Sequence, residues 1–185
     1  IDAPSLEGFL FPDTYILLKT YTEEAIIRVL VNQFKHNLKA LKHASSLNIN
    51  MREIVTMASI IQGEAMYEDE MPVISSVYHN RLKRGMLLQA DPTIQYIIPG
   101  KSRRLYNRDL EVDDPYNTYK YKGLPPGPIN NPGLAALKAA MNPAETNYLY
   151  FVSNLEGRHI FTHTSDEHNQ AKQEMKKKRR VKRKI

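Results

Sequence analysis

Seven of the eleven prolines fall within residues 86–133: Pro92, Pro99, Pro115, Pro125, Pro126, Pro128 and Pro132. A proline inside a helix removes a ladder hydrogen bond and costs about 3 kcal/mol, and a central strand rejects it for the same missing N–H. No long helix and no central strand can therefore cross this stretch. The middle reads as a long ordered loop region with short strands. Loops of that length in a compact domain are usually functional or disordered.

The flanking segments carry clear periodicity. "LEGFLFPDTYIL" is apolar and aromatic, but Gly8 and Pro12 interrupt it, so an irregular segment or short strand packed on the core is expected. Thr22 followed by Glu23 and Glu24 starts a helix whose stripe is Ile27, Leu30, Phe34, Leu38 and Leu41. A second helix begins near Asn50, with Glu53 placed for a capping box and Ile54, Met57 and Ile61 on one face. Pro72 opens a third that Gly85 stops. "NYLYFVSN" and "RHIFTHT" flank a turn containing Gly157 and predict a β-hairpin, and a last helix starts near Ser165. The expected fold is α+β: a single compact domain of several helices around a small mixed sheet, with a C-terminal β-hairpin.

The net charge of +6 misleads until it is located. The eight Lys and Arg side chains between Lys176 and Lys184 carry +8, so the remainder of the chain sums to −2. The body is not basic, and nucleic acid is not an expected partner. We therefore divide the chain into a folded part, 1–175, and a basic tail, 176–185, solvated or drawn to anionic lipid and other polyanions. Cysteine is absent, which excludes disulfides and thiol chemistry. No apolar run reaches the ~18 residues of a membrane span. The start at "IDAPSLEGFL", without an initiator Met or signal peptide, reads as part of something longer.

"MASIIQGEAMYEDE", residues 57–70, begins as a buried stripe and ends in carboxylates. Ile54, Met57, Ile61 and Glu64 follow at steps of 3, 4 and 3, which sets Glu64 on the margin of the buried face. A carboxyl there is partly desolvated and its pKa rises, as a general acid requires. A helix-end glutamate turned outward, or paired with Arg or Lys, is the plainer alternative. His159, His163 and His168 offer ring nitrogens but lack an accompanying zinc motif, so no metal is expected. With no glycine-rich phosphate loop and no nucleophilic Ser signature, no cofactor is expected either.

The blocks "EGFLFPDTY", "MASIIQGEA", "VYHNRLKRGMLLQADPTIQY", "DDPYNTYKYKGLPPGPINNPG", "LKAAMNPAETNYLYFV" and "HIFTHTSDEHN", in that order, resemble the catalytic domain of the YceG-like endolytic murein transglycosylases, from about Leu6 to Asn169. The resemblance implies a bacterial protein held in the cell membrane by one N-terminal helix upstream of Ile1, with this domain on the extracytoplasmic side. A LysM-like subdomain often lies between anchor and domain. It also implies peptidoglycan glycan strands as substrate and cell-wall synthases as candidate partners. In that family the "ASI" block usually carries two acidic residues around a variable one, and the second is catalytic. That position is Glu64, while the first is Gln62 here, a departure from the pattern.

The implied chemistry needs one carboxyl. A hydrolase uses two, whereas a lytic transglycosylase lets the substrate's own C6 hydroxyl attack, so one glutamate serves as acid and then as base. In this reading the loops form a cleft: Asn80, Gln89, Asn117 and Asp91 read hydroxyl and N-acetyl groups, and Tyr96, Tyr116 and Tyr119 face sugar rings. Each can instead support the loops. Arg81 is expected to be structural, paired with an acidic neighbour, and Glu7, Asp13 and Tyr15 belong to the opening block. Two alternatives stand beside this one. A glycan hydrolase would take its second carboxylate from Asp91, Glu68 or Asp69, and a non-catalytic scaffold would only bind glycan.

Overall fold

The computed structural model describes residues 5–42, 50–100 and 103–182. Helix α1 spans Glu23–Lys42, α2 Met51–Glu64, α3 Met71–Lys83, α4 Asp91–Ile97, α5 Asn107–Leu110 and α6 Leu134–Met141. Strands β1 (Tyr150–Ser153) and β2 (His159–Thr162) follow, and then α7, Ser165–Lys182.

The structure is built around α2. Asn50 caps it by accepting from the Glu53 backbone N–H at 2.9 Å. Every residue from Ile54 to Ile61 is buried, more than the single apolar face expected, because α3, α4 and α6 all pack on it. The polar members of that run are satisfied. Ser59 donates to the Thr56 carbonyl and accepts from the Ile129 N–H at 3.0 Å, which fastens the proline-rich segment to the helix. Gly63 admits α4: a Cβ there would sit 2.7 Å from Pro92.

Two expectations are corrected. Among the described residues of 86–133 there are no strands, only the short helices α4 and α5 and turns, since the prolines leave too little unbroken backbone for a ladder. The sheet is not mixed; it is the two-stranded antiparallel hairpin, pairing Tyr150 with Thr162 and Ser153 with His159. The α+β class stands. Helix α6 was not anticipated, although Leu134, Leu137 and Met141 are spaced for it. Its alanines Ala136, Ala139 and Ala140 are fully buried, and such small side chains suit its close packing on α2.

The other predicted elements are present. Thr22 caps α1, the Leu6–Leu18 segment is irregular with Phe9 and Phe11 buried, and Gly85 ends α3 at a positive φ. Phe9 packs edge-on against Phe34 of α1, at 5.2 Å between ring centroids. The basic tail expected from Lys176 is not separate among the described residues: α7 continues through it to Lys182. Among the described residues no helix is long and apolar enough to cross a membrane.

Candidate active site

Glu64 ends α2, where the main-chain dipole is negative and the last turn carries no basic residue. Although part of its surface reaches a groove, surrounding atoms crowd the carboxyl, and burial raises its pKa to about 7. The Tyr78 hydroxyl donates to Oε1 at 2.8 Å and opposes the rise; the charge of Asp91 adds to it, and that of Arg81 opposes it. Tyr78 is itself buried, edge-on to Phe151 at 5.8 Å, and its phenol is pushed well up by burial and by Glu64. It therefore remains a donor. Among the described residues Oε2 has no hydrogen-bond partner, so the proton of the neutral carboxyl belongs there.

Arg81 lies behind this pair on α3, one turn from Tyr78. Its Nε donates to the Leu149 carbonyl at 2.6 Å and its Nη1 to that of Leu88 at 2.7 Å, and the guanidinium covers the Tyr150 ring at 5.1 Å. Among the described residues it lacks the expected acidic hydrogen-bond partner: its hydrogen bonds go to carbonyls, tying the hairpin and the loop after α3 to the helix that holds Tyr78.

The groove consists of two depressions that share Glu64 and Asp91. One, of about 480 Å³, is lined by Tyr78, Arg81, Gln89, Tyr119, His159 and residues of α7. The other, of about 350 Å³, is lined by Gly63, Pro92, Gln95, Tyr96 and Asn130. Glu64 thus stands in the middle of an open path, a geometry suited to a long chain passing over one acid. Other cavities, such as that of about 630 Å³ between Arg52, His79 and Pro126, lie away from it.

The predicted sugar-reading residues divide. Gln89, Asp91, Tyr96 and Tyr119 line the groove with Glu64. The Tyr119 hydroxyl donates to Asp91, and Tyr96 donates to Glu7 Oε2 at 2.8 Å, a bond that pushes its phenol up to about 12. The Tyr116 ring packs against that of Tyr96, tilted by 40° with 4.9 Å between centroids. Gln89 sits at φ 50, held by its N–H to the Thr118 carbonyl.

Asn80 and Asn117 are not brought to the groove. The Asn80 amide donates to the Thr146 and Tyr148 carbonyls at 2.8 and 3.0 Å, on another face. Asn117 is fully buried, donating to the Leu110 and Val112 carbonyls and accepting from the Tyr119 N–H. Both amides are used up fixing loop backbone. In the opening block Glu7 supports Tyr96, while Asp13 accepts from Gln33 and Tyr15 donates to the Phe11 carbonyl.

Gln62 is separated from Glu64 in role as in direction: its Oε1 accepts from the Gly133 N–H at 3.0 Å, at the start of α6. Of the second carboxylates a hydrolase could use, only Asp91 lines the groove. Asp69 pairs with Arg158 at 2.9 Å, and Glu68 is exposed on the far side. The His159 ring faces Glu70 at 3.1 Å, and His168 stacks on Tyr150. Among the described residues no three His, Asp or Glu side chains are placed to share a metal. Tyr78, Lys172 and Arg179 were missed as site residues. Tyr78 follows Glu64 by fourteen positions on another helix, a separation that periodicity within one helix does not register.

The YceG-like family matches residues 2–174. An endolytic murein transglycosylase of Bacillus subtilis is 42% identical over 170 residues, which are 91% of this chain and 47% of that protein. One from Streptococcus pneumoniae is 33% identical over 172 residues, 89% of this chain and 31% of that protein. A crystal structure of a YceG-like protein from Listeria monocytogenes superposes with a TM-score of 0.83 at 40% identity, covering 92% of this chain and 56% of the other. The chain thus spans half or less of the curated relatives' length.

Proposed function

The chain belongs to the YceG-like family, and from that premise we propose that it is the catalytic domain of an endolytic murein transglycosylase, a lyase that cleaves the MurNAc–GlcNAc β-1,4 bond within peptidoglycan strands. The observation that carries the reading is one carboxyl with a pKa near 7 in the middle of an open groove. Protonated Glu64 gives its Oε2 proton to the glycosidic oxygen as the bond to C1 breaks. The carboxylate left behind, held by Tyr78 through Oε1, takes the proton of the C6 hydroxyl as that oxygen bonds to C1. The proton count returns to its start, no water is consumed, and the product ends in 1,6-anhydro-MurNAc. Arg81 lies close enough to stabilise the carboxylate between the two steps.

Tyr96, packed against Tyr116, offers a sugar a flat face on one side of the acid, while Gln89 and the Asp91–Tyr119 pair offer polar groups beside it. Cleavage of murein sets the domain on the extracytoplasmic side of the bacterial cell membrane, reached through an upstream anchor, with cell-wall synthases as partners. Asp91 favours one rival, because it shares the groove with Glu64 and could activate water as a hydrolase requires. Mass spectrometry of products from purified glycan strands separates them: 1,6-anhydro ends are expected, and reducing ends would replace this proposal with hydrolysis.

A further inference from the structure

Helix α7 begins at a Thr164 cap, with the Glu167 N–H on Thr164 Oγ1 and the Glu167 carboxylate on the His163 N–H. It packs on both strands of the hairpin, with Ala171 and Met175 buried. At 100° per residue, His168, Lys172 and Arg179 fall within roughly 40° of one another on the stripe beside that buried pair. All three line the cavity that contains Glu64. His168 is stacked on Tyr150, whose ring also carries Arg81 at 5.1 Å. Burial, with the charges of Lys172 and Arg81, lowers the His168 pKa, so near neutral pH the positive charge on this wall is that of Lys172 and Arg179. Neither has an ion-pair partner among the described residues, and both are exposed.

The cavity is therefore polar in charge, with Glu64 and Asp91 on the α2–α4 side and an ammonium and a guanidinium on α7. Sugar hydroxyls and N-acetyl groups are neutral and give no reason for two free cations. A muramoyl residue carries a carboxyl function on its lactyl ether, either free or continued as a peptide that ends in carboxylates. Resting on the function proposed above, we propose that Lys172 and Arg179 recognise a carboxylate borne by the glycan strand and thereby set which sugar lies over Glu64. Arg179 lies beyond residue 174, where the family match ends, so this half of the wall belongs to the basic stretch. That stretch acts as part of the cleft and not only as a solvated end.

The test uses Lys172→Ala/Arg179→Ala, Arg179→Glu and Arg179→Lys on three strands: with stem peptides, stripped to the free lactyl carboxylate, and stripped then converted to the neutral methylamide. For the carboxylate-bearing strands the double variant should raise KM about five- to tenfold, Arg179→Glu should raise it at least as far, and Arg179→Lys should restore most of the loss. The methylamide strand should show no such contrast between native and variant chains. Whichever of the first two strands responds more identifies the carboxylate. Binding of the same strands to Glu64→Gln chains, with and without the double substitution, reads the effect without turnover, so the two proposals can fail separately. Equal KM and equal binding on all three strands would overturn it. So would a fall in kcat with KM unchanged, which would mark α7 as a support for the hairpin.

Discussion

On the α2–α3 wall of the groove, Glu64, Tyr78 and Arg81 are enclosed, and Glu64 Oε1, the Tyr78 hydroxyl and the Arg81 Nε and Nη1 groups all have partners inside the protein. On the loop wall, Gln89, Asp91 and Tyr96 are exposed and Tyr119 is half-buried, while Thr118 and Asn117 pin the backbone of Gln89, Ala90 and Tyr119 from behind and Glu7 holds the Tyr96 hydroxyl. Burial tunes a proton, and exposure leaves a face for a ligand. The first wall should therefore respond to substitution through catalysis and stability together, and the second through binding.

Glu64→Gln should break this contrast most sharply. The amide keeps size and polarity but cannot cycle a proton, so cleavage should fall at least about 10³-fold, ~4 kcal/mol, with glycan binding nearly intact. Full activity in product assays would remove Glu64 from the mechanism. Stability carries a signature of its own. The folded chain holds the Glu64 proton up to about pH 7, whereas an unfolded carboxyl releases it near 4.3. The folded state binds the extra proton between these values, so this contribution to stability is complete below about pH 4 and is lost as the pH rises to 7. Unfolding free energies of the native and Gln chains should coincide near pH 4, and the Gln chain should lead by roughly 3–4 kcal/mol at pH 8.

Arg81→Met should come next. Removing the guanidinium leaves the Leu88 and Leu149 carbonyls without their donor, at a cost of about 3 kcal/mol, or roughly 10 °C in Tm for a chain of this size. A variant with the native Tm would show that the two walls do not depend on this side chain.

The difference between the walls also explains what could be read from the sequence. Glu64 was legible because a carboxylate interrupted a stripe within one helix, and the hairpin and helix caps were legible because their signals are local. Tyr78 and Arg81 act on Glu64 and on the hairpin across long separations, which one-dimensional spacing does not carry. The two asparagines misled for a related reason. Asn80 and Asn117 have the chemistry to read sugars, but irregular backbone needs the same chemistry, before the hairpin for Asn80 and in the proline-rich region for Asn117, and that need took them. The basic run at 176–184 was placed by composition outside the fold, whereas among the described residues Ala171 and Met175 continue a buried spacing and the helix runs into that stretch as far as Lys182.

Tyr78→Phe sharpens the comparison with a smaller effect. Its hydroxyl favours the ionised form of Glu64, so losing it should raise the carboxyl's pKa further. The alkaline limb of kcat/KM should move up by about half to one pH unit, with activity below the limb reduced roughly three- to tenfold as the carboxyl loses its anchor. A limb that stays in place or moves down would show that Tyr78 does not set the acid.

The smallest effect should come from Gln62→Glu, which restores the acid at the first position of the pattern that the family usually shows. Gln62 lies two residues from Glu64 but faces α6, where its Oε1 accepts from the Gly133 N–H at 3.0 Å. A carboxylate oxygen can accept the same bond, and the dipole at the start of α6 favours its charge by about 0.3–1 kcal/mol while that at the end of α2, where Gln62 sits, opposes it by a similar amount. The substitution should thus be close to neutral. Because the new charge faces away from the groove, cleavage should stay within about tenfold, ~1.4 kcal/mol, of the native chain. A much larger gain in single-turnover cleavage would mean that the position beside α6 takes part in the chemistry, and that the division of labour between Gln62 and Glu64 drawn from their directions is wrong.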